Sequence, residues 1–179
     1  MKARDLILAL PFACVISLQT LTANANDILI NYDYSQAPQV DFSNMPKGPL
    51  KVAPFSDKRA VAPNETATIL SSNAEKPVAE IINDALVQAF EAGGAKLVQE
   101  GEALTLEGEL TELQVTEKET GVEVTIRTHV TLKRGSQTVF DNVIFGRASA
   151  PMLDAAVRAT LDKLVNSLIL DDYFLMEVI

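Results

Sequence analysis

The chain has 179 residues, 47% of them hydrophobic, and its formal net charge at pH 7 is −9. This length predicts one domain, and the hydrophobic content argues against a disordered chain. Because phosphate binding needs clusters of Lys and Arg, which the sequence lacks, we predict no nucleic-acid partner.

Residues 1–25 have the features of a secretory signal peptide. A positively charged start precedes a mostly apolar run at Leu6–Leu18, which is short for a membrane span. Ala23 and Ala25 then match the small-x-small pattern that signal peptidase cuts. We predict cleavage after Ala25, and the alternative is an uncleaved anchor helix.

Cys14 raises the question of a lipid anchor. Lipidation normally needs a Leu three residues before the cysteine and small residues after that Leu. Here Pro11, Phe12 and Ala13 occupy these three positions, and only Ala13 fits. We therefore expect a soluble periplasmic protein without a membrane tether, and an outer-membrane lipoprotein is the alternative. Cleavage also removes the only cysteine, which excludes a disulfide, a cysteine nucleophile or a thiolate metal site.

Residues 26–49 precede the predicted domain as a strand and a linker. Asp27–Tyr34 alternates apolar and polar residues with period two, which predicts a strand available to the sheet edge. Ser35–Pro49 is rich in Pro and predicts a linker. The single folded domain then covers residues 50–179. It begins with a short strand at Leu50–Phe55, and a polar loop follows at residues 56–59.

The central helix of the domain is predicted at Pro77–Gly94. Its apolar residues recur at steps of three and one, which is the spacing of one helix face. Pro77 suits the first turn, and Gly93 and Gly94 supply a residue with positive φ for the helix end. A helix this one-sided needs an apolar sheet face to cover.

A short strand at Ala95–Val98 and a three-strand antiparallel meander follow the helix. The parity of apolar residues in the first meander strand changes near Thr111 and Glu112, which predicts a β-bulge. Alternating polar residues predict that one sheet face is at least partly solvated. The three meander strands are predicted at Leu104–Thr116, Val122–Lys133 and Gln137–Ala148.

A second amphipathic helix is predicted at Pro151–Leu170, and the chain ends in an apolar tail, Tyr173–Ile179. The tail either folds back on the core or is an exposed partner-binding segment. Two amphipathic helices packed on one face of a mostly antiparallel sheet make an α+β fold.

The order of these elements and several residues resemble the YajG family of bacterial envelope lipoproteins over residues 50–175. The first strand runs into Asp57-Lys58-Arg59, where the family has a strand and then Asp-x-Arg. The central helix ends in Ala92-Gly93-Gly94 before a short strand, as in the family. The resemblance implies an α+β fold and a non-enzymatic envelope role. Relatives are lipidated at a cysteine after the signal, and this chain departs from that pattern.

The sequence contains no pattern that predicts an enzyme. His129 is the only histidine, and a lone histidine without cysteines does not complete a tetrahedral zinc site. The chain has no Gly-x-Ser-x-Gly elbow and no phosphate-binding glycine loop. We predict no catalytic residue, no metal and no cofactor. A hydrolase that uses His129 with a nearby Ser and an acid is kept as a minor hypothesis.

Four residues are candidates for binding: Asp57 and Arg59 after the first strand, and Tyr173 and Phe174 in the tail. Asp57 and Arg59 are also explained by a local ion pair, or by an aspartate that stabilises a turn. The predicted function is a periplasmic binding or assembly-accessory module that acts by contact with an envelope protein, with homo-oligomers as a further option. The alternative is a carrier or sensor of a small or lipid-like ligand, held in an apolar pocket between helices and sheet.

Overall fold

The computed structural model describes residues 32–34, 36–59 and 76–179. Within these ranges it has one sheet of five strands and three helices. The signal-peptide prediction, with Cys14 and the cleavage site at Ala25, lies outside the described residues. The elements are β1 (Leu50–Val52), β2 (Ser56–Asp57), α1 (Val78–Ala92), β3 (Leu104–Lys118), β4 (Gly121–Arg134), β5 (Gln137–Ala150), α2 (Leu153–Ile169) and α3 (Asp172–Val178).

The sheet is mostly antiparallel, and the predicted α+β class is confirmed. Strands β3, β4 and β5 form the antiparallel meander, while β1 and β2 both pair in parallel with β3. The β3–β4 register shifts between Leu110 and Glu112, which confirms the predicted bulge. After this shift the buried side of β3 continues with Leu113 and Val115, so the strand keeps its apolar residues on the core face.

Helices α1 and α2 pack on the sheet as the spacing predicts. The apolar face of α1 is buried, with Ile82, Leu86 and Phe90 fully so. Gly94, just after the helix, has φ 81°, which supplies the predicted positive φ. Helix α2 lies very close to β5 at Gly146, where the strand has no side chain. A Cβ placed on Gly146 would be 2.2 Å from the Thr160 carbonyl oxygen of α2.

The predicted strand at Leu50–Phe55 is wrong at its end. The strand pairing with β3 stops after Val52 and resumes in β2. Ser56 and Asp57, which were predicted as loop, therefore belong to the sheet. The Phe55 ring explains the interruption, because it occupies the space over Gly108, where a Cβ would lie 2.2 Å from the ring. The predicted strand Ala95–Val98 is likewise reduced to one isolated bridge, between Leu97 and Leu50.

The described part of the predicted N-terminal strand is also not a strand. Tyr32–Tyr34 has no strand assignment, and its hydrogen bonds go to side chains of α1 and α2. Residues 36–49 lie against the domain through Phe42, which is fully buried and meets Phe90 edge-on at 5.3 Å. The amide of Phe42 also donates to the Gly93 carbonyl at 2.7 Å.

The apolar tail forms helix α3 and folds back on the core, which confirms the first of its two predicted arrangements. Phe174 and Val178 are fully buried. The Phe174 ring lies 5.9 Å from the Phe90 ring of α1 and 5.5 Å from the Phe140 ring of β5. A helix, rather than an extended segment, forms because the Asp171 side chain accepts hydrogen bonds from two amides of the first turn.

Candidate functional site

Asp57 and Arg59 lie together at the end of β2. The Arg59 Nε donates to both carboxylate oxygens of Asp57, at 2.9 and 3.0 Å, and the Arg59 amide donates to the same group at 3.2 Å. The hydrogen bond from the Arg59 side chain lowers the pKa of Asp57, so the carboxylate stays charged. These contacts confirm the local ion pair that the sequence offered as one explanation of the two residues.

The sheet face that points away from the helices carries cross-strand ion pairs. Lys133, Arg147 and Arg127 there each meet a carboxylate on a neighbouring strand. The ion pairs are Lys133–Glu107 at 2.6 Å, Arg147–Glu123 at 2.8 Å and Arg127–Glu112 at 2.9 Å, and His129 forms a hydrogen bond with Asp141 at 2.7 Å. Arg127 also lies over the Phe145 ring, 4.8 Å from its centroid.

His129 lies on this solvated face, as its parity predicts. Its side chain is 35% exposed, and its described hydrogen-bond partner is Asp141. No serine hydroxyl in the described part of the chain is hydrogen-bonded to the His129 ring. Among the described residues, no three His, Cys, Asp or Glu side chains converge as metal ligands.

Two surface cavities border the described part of the domain. One, of about 510 Å³, lies at the β3–β4 turn and includes Lys118, Glu123 and Ser149. The Arg147 guanidinium lowers the pKa of Glu123 there. The other, of about 400 Å³, lies beside the C-terminal end of α1 near Asp41 and Gly93. Neither cavity lies between helices and sheet, where the carrier hypothesis requires a pocket and where fully buried Leu and Ile side chains pack.

Helix α3 separates the two candidate residues of the tail. Phe174 is fully buried, whereas Tyr173 is 72% exposed, so a partner can touch only Tyr173. Tyr173 and Met176 are three residues apart in α3 and share a helix face, and exposed Leu170 and Ile179 continue this spacing just before and just after the helix. We call these four residues the apolar stripe: Leu170, Tyr173, Met176 and Ile179, with exposures of 44%, 72%, 59% and 44%. Val143, Phe145 and Met152 are also exposed and lie outside the stripe.

Polar contacts on the flanks fix the position of α3. Glu177 pairs with Arg134 of β4 at 2.9 Å and with Lys47 at 3.9 Å. The Lys47 ammonium also donates to the Met176 carbonyl, and Asn142 of β5 donates to Asp171 at 3.2 Å. Tyr173 and Met176 of the apolar stripe are therefore presented on a helix that is docked on its opposite side. Sequence reasoning missed it, although Asp171 as a cap and the four-residue spacing of Phe174 and Val178 were available signals.

Comparisons with known proteins give a fold but no family. No family model matches the chain, and no curated protein sequence matches it. Protein XCC0632 from Xanthomonas campestris, described by family-model DUF330, is similar in structure, with a TM-score of 0.53 and 16% identity over 79% of this chain and 89% of that chain. This likeness shows a common fold and nothing further. The resemblance to the YajG family stays a prediction.

Two other solved structures match less closely. PelC from Paraburkholderia phytofirmans, solved as a dodecamer, has a TM-score of 0.44 and 12% identity over 74% of this chain and 92% of that chain. Lipoprotein GNA1162 from Neisseria meningitidis has a TM-score of 0.34 and 14% identity over 67% and 94%. No argument below rests on either of them. None of the helices in the described part of the chain is long and apolar enough to cross a membrane.

Proposed function

We propose that this chain is a non-enzymatic module of the bacterial cell envelope that binds another protein through the apolar stripe of α3. The observation that carries the proposal is the exposure of four apolar side chains at a spacing of three residues, two of them in the docked helix α3 and two just beyond its ends. Exposed aromatic and Met side chains in one patch are typical of protein interfaces. Fully burying each would contribute about 1.5–3 kcal/mol.

The way in which α3 is held supports binding at low entropic cost. A seven-residue helix is too short to be stable alone in water, and here Phe174, Val178 and the Asp171 cap hold it on the core. A partner would therefore meet a surface that is already ordered, and little of the binding free energy would be spent on ordering it. In this proposal Tyr173 contacts the partner protein, and Phe174 anchors α3 to the core. Asp57 and Arg59 form an ion pair with each other.

The envelope location rests on the sequence. The signal-peptide features of residues 1–25 and the resemblance to the YajG family both support export to the periplasm. An outer-membrane lipoprotein anchored at Cys14 is the alternative, and an intact-mass measurement of the exported protein separates the two. A mature chain that begins at Asn26 supports the periplasmic proposal, and a lipid-modified chain that begins at Cys14 contradicts it.

Site-specific photo-crosslinking in cells of the source organism tests the contact. A photoreactive residue at Leu170, in the apolar stripe, should give a discrete adduct with one partner. The matched control carries the same residue at Glu100, which is exposed and lies outside the apolar stripe. An adduct with the mass of two chains would identify the partner as a second copy. Equal adducts from both positions, or none from Leu170, would contradict the proposed contact.

A further inference from the structure

The first described residues cross both helices and are held there by side chains. The Tyr32 hydroxyl donates to Asp162 Oδ1 at 2.7 Å, and Asn166 Nδ2 donates to Gln36 Oε1 at 2.9 Å. Asp162 and Asn166 are four residues apart on α2 and so share a face. We call Tyr32–Tyr34 with Gln36 the strap, and the surface that holds it the helix groove, which Gln88, Asp162 and Asn166 define.

Gln88 of α1 recognises the main chain of the strap. Its Oε1 accepts from the Tyr34 amide at 2.8 Å, and its Nε2 donates to the Tyr32 carbonyl at 3.2 Å. In an extended segment the carbonyl of one residue and the amide two residues later point to the same side. One glutamine side chain therefore makes the paired bonds that a neighbouring strand would make. Such bonds require an extended backbone and are independent of most side chains.

One side-chain position of the strap is also specific. Tyr32 is only 6% exposed, so its ring is buried while its hydroxyl reaches Asp162. A phenylalanine would fill the same space but leave the Asp162 oxygen without this donor. The helix groove thus selects an extended segment that carries a tyrosine at this position, with Asp162 as the group that distinguishes tyrosine from phenylalanine.

The contact between the strap and the helix groove leaves two buried polar atoms without a described hydrogen bond. The Tyr34 hydroxyl and Asn166 Oδ1 are buried without a described hydrogen-bond partner. Buried polar atoms are nearly always paired, and each unpaired one opposes burial of the segment that covers it. A different segment with a hydrogen-bond donor facing Asn166 Oδ1 would fit the groove better than the strap does.

We propose that the helix groove is a binding site for an extended, tyrosine-bearing segment of another protein, and that the strap is the resident occupant that this segment displaces. The site is distinct from the apolar stripe and does not depend on it. The partner segment supplies three features: an extended backbone for Gln88, a tyrosine hydroxyl for Asp162 and a hydrogen-bond donor for Asn166.

Peptide binding to the full chain tests the proposal. The probe is a fluorescent peptide with the sequence of residues 31–36, and a scrambled peptide is its control. In the unchanged chain the tethered strap competes at high effective concentration, so peptide binding is weak. Tyr32→Ala loosens the strap and leaves the groove intact, so we expect peptide affinity to rise about tenfold or more. Adding Gln88→Ala to Tyr32→Ala should abolish that gain.

Further variants keep the test decisive. Tyr32→Phe removes only the hydroxyl, so it should fold even where Tyr32→Ala does not and should show a smaller gain in affinity. A peptide with Phe in place of its first tyrosine should bind more weakly. Equal peptide binding by the unchanged chain and both Tyr32 variants would overturn the proposal, as would a gain that survives Gln88→Ala. A dimer of the unchanged chain that Gln88→Ala dissociates would instead assign the groove to the strap of a second copy.

Discussion

Tyr32 is a residue whose ionisation the fold opposes. Burial and the hydrogen bond to Asp162 both raise the pKa of Tyr32 above its ordinary value. An ionised Tyr32 would lose the proton that it donates to Asp162 and would place two negative charges together. The folded state therefore favours the neutral side chain, and this contribution to stability is complete below the unfolded pKa of about 10 and is lost as pH rises above it.

We expect the unchanged chain and Tyr32→Phe to respond differently to alkaline pH. At pH 8 the variant should be less stable by about 0.5–1.5 kcal/mol, because it lacks the hydrogen bond to Asp162. Above pH 10, ionisation of Tyr32 should cost the unchanged chain about 1.4 kcal/mol of stability for each further pH unit. The stability advantage of the unchanged chain over Tyr32→Phe should therefore narrow and then reverse. Urea unfolding at a series of pH values measures this, and parallel curves for the two proteins would contradict the assignment.

The candidate residues illustrate how far single-residue reasoning reaches. The Asp57–Arg59 ion pair could be predicted because two residues separated by one position meet locally. The different fates of Tyr173 and Phe174 could not, because they depend on α3 and on rings contributed by α1 and β5. The Tyr32–Asp162 contact could not be predicted either, because its two residues are 130 positions apart in the sequence.

At the scale of elements, periodicity predicted the long helices and strands of the described residues. The three meander strands, α1 and α2 each carry their own apolar pattern over at least 14 residues. The short elements were mispredicted because a distant group decides them. The break between β1 and β2 coincides with the Phe55 ring over Gly108, and the strand pairing of the segment Ala95–Val98 is a single bridge to Leu50. Local pattern holds no information on such partners.

Helix α1 allows a direct test of its buried and solvated faces. Ile82 is fully buried, whereas the side chain of Asp84 is 41% exposed and pairs with Lys76 at 2.8 Å. Ile82→Asp should unfold the domain or destabilise it severely, because burying an unpaired carboxylate costs several kcal/mol against a typical total stability of about 5–15 kcal/mol. Asp84→Ala should cost less than about 1 kcal/mol.

Chemical denaturation of both α1 variants checks this expectation. Circular dichroism of the unchanged chain and of Asp84→Ala should give nearly the same midpoint. Ile82→Asp should show a much lower midpoint or no cooperative transition. Equal midpoints for the two variants would mean that α1 does not pack on the sheet as described.

At the scale of the whole molecule, two surfaces of the described sheet carry features that oppose association. On the solvated face Arg127, Lys133 and Arg147 pair with carboxylates of neighbouring strands, and Val143 and Phe145 of β5 are exposed among them. At the free edge of β5, side chains of α2 bond to the strand backbone: Lys163 donates to the Arg147 carbonyl at 2.9 Å and Ser167 accepts from the Phe145 amide at 3.4 Å. The apolar stripe, by contrast, consists of exposed uncharged side chains only.

The proposed function gives the two sides of α3 different roles. Phe174 contributes to stability from the buried side, and we propose that Tyr173 and Met176 contact a partner from the exposed side. Truncating Phe174 to Ala should cost about 3–5 kcal/mol, as for other fully buried aromatic residues. Tyr173→Ser combined with Met176→Ser should change stability by no more than about 1 kcal/mol, because exposed substitutions cost about 0.5 kcal/mol or less each.

The most direct measurement is the yield of the Leu170 photo-crosslink in the chain that carries Tyr173→Ser and Met176→Ser, with thermal melting recorded on the same protein. We expect an unchanged melting temperature together with loss of the adduct. A full adduct yield in this variant, at an unchanged melting temperature, would contradict the claim that the protein acts through the apolar stripe.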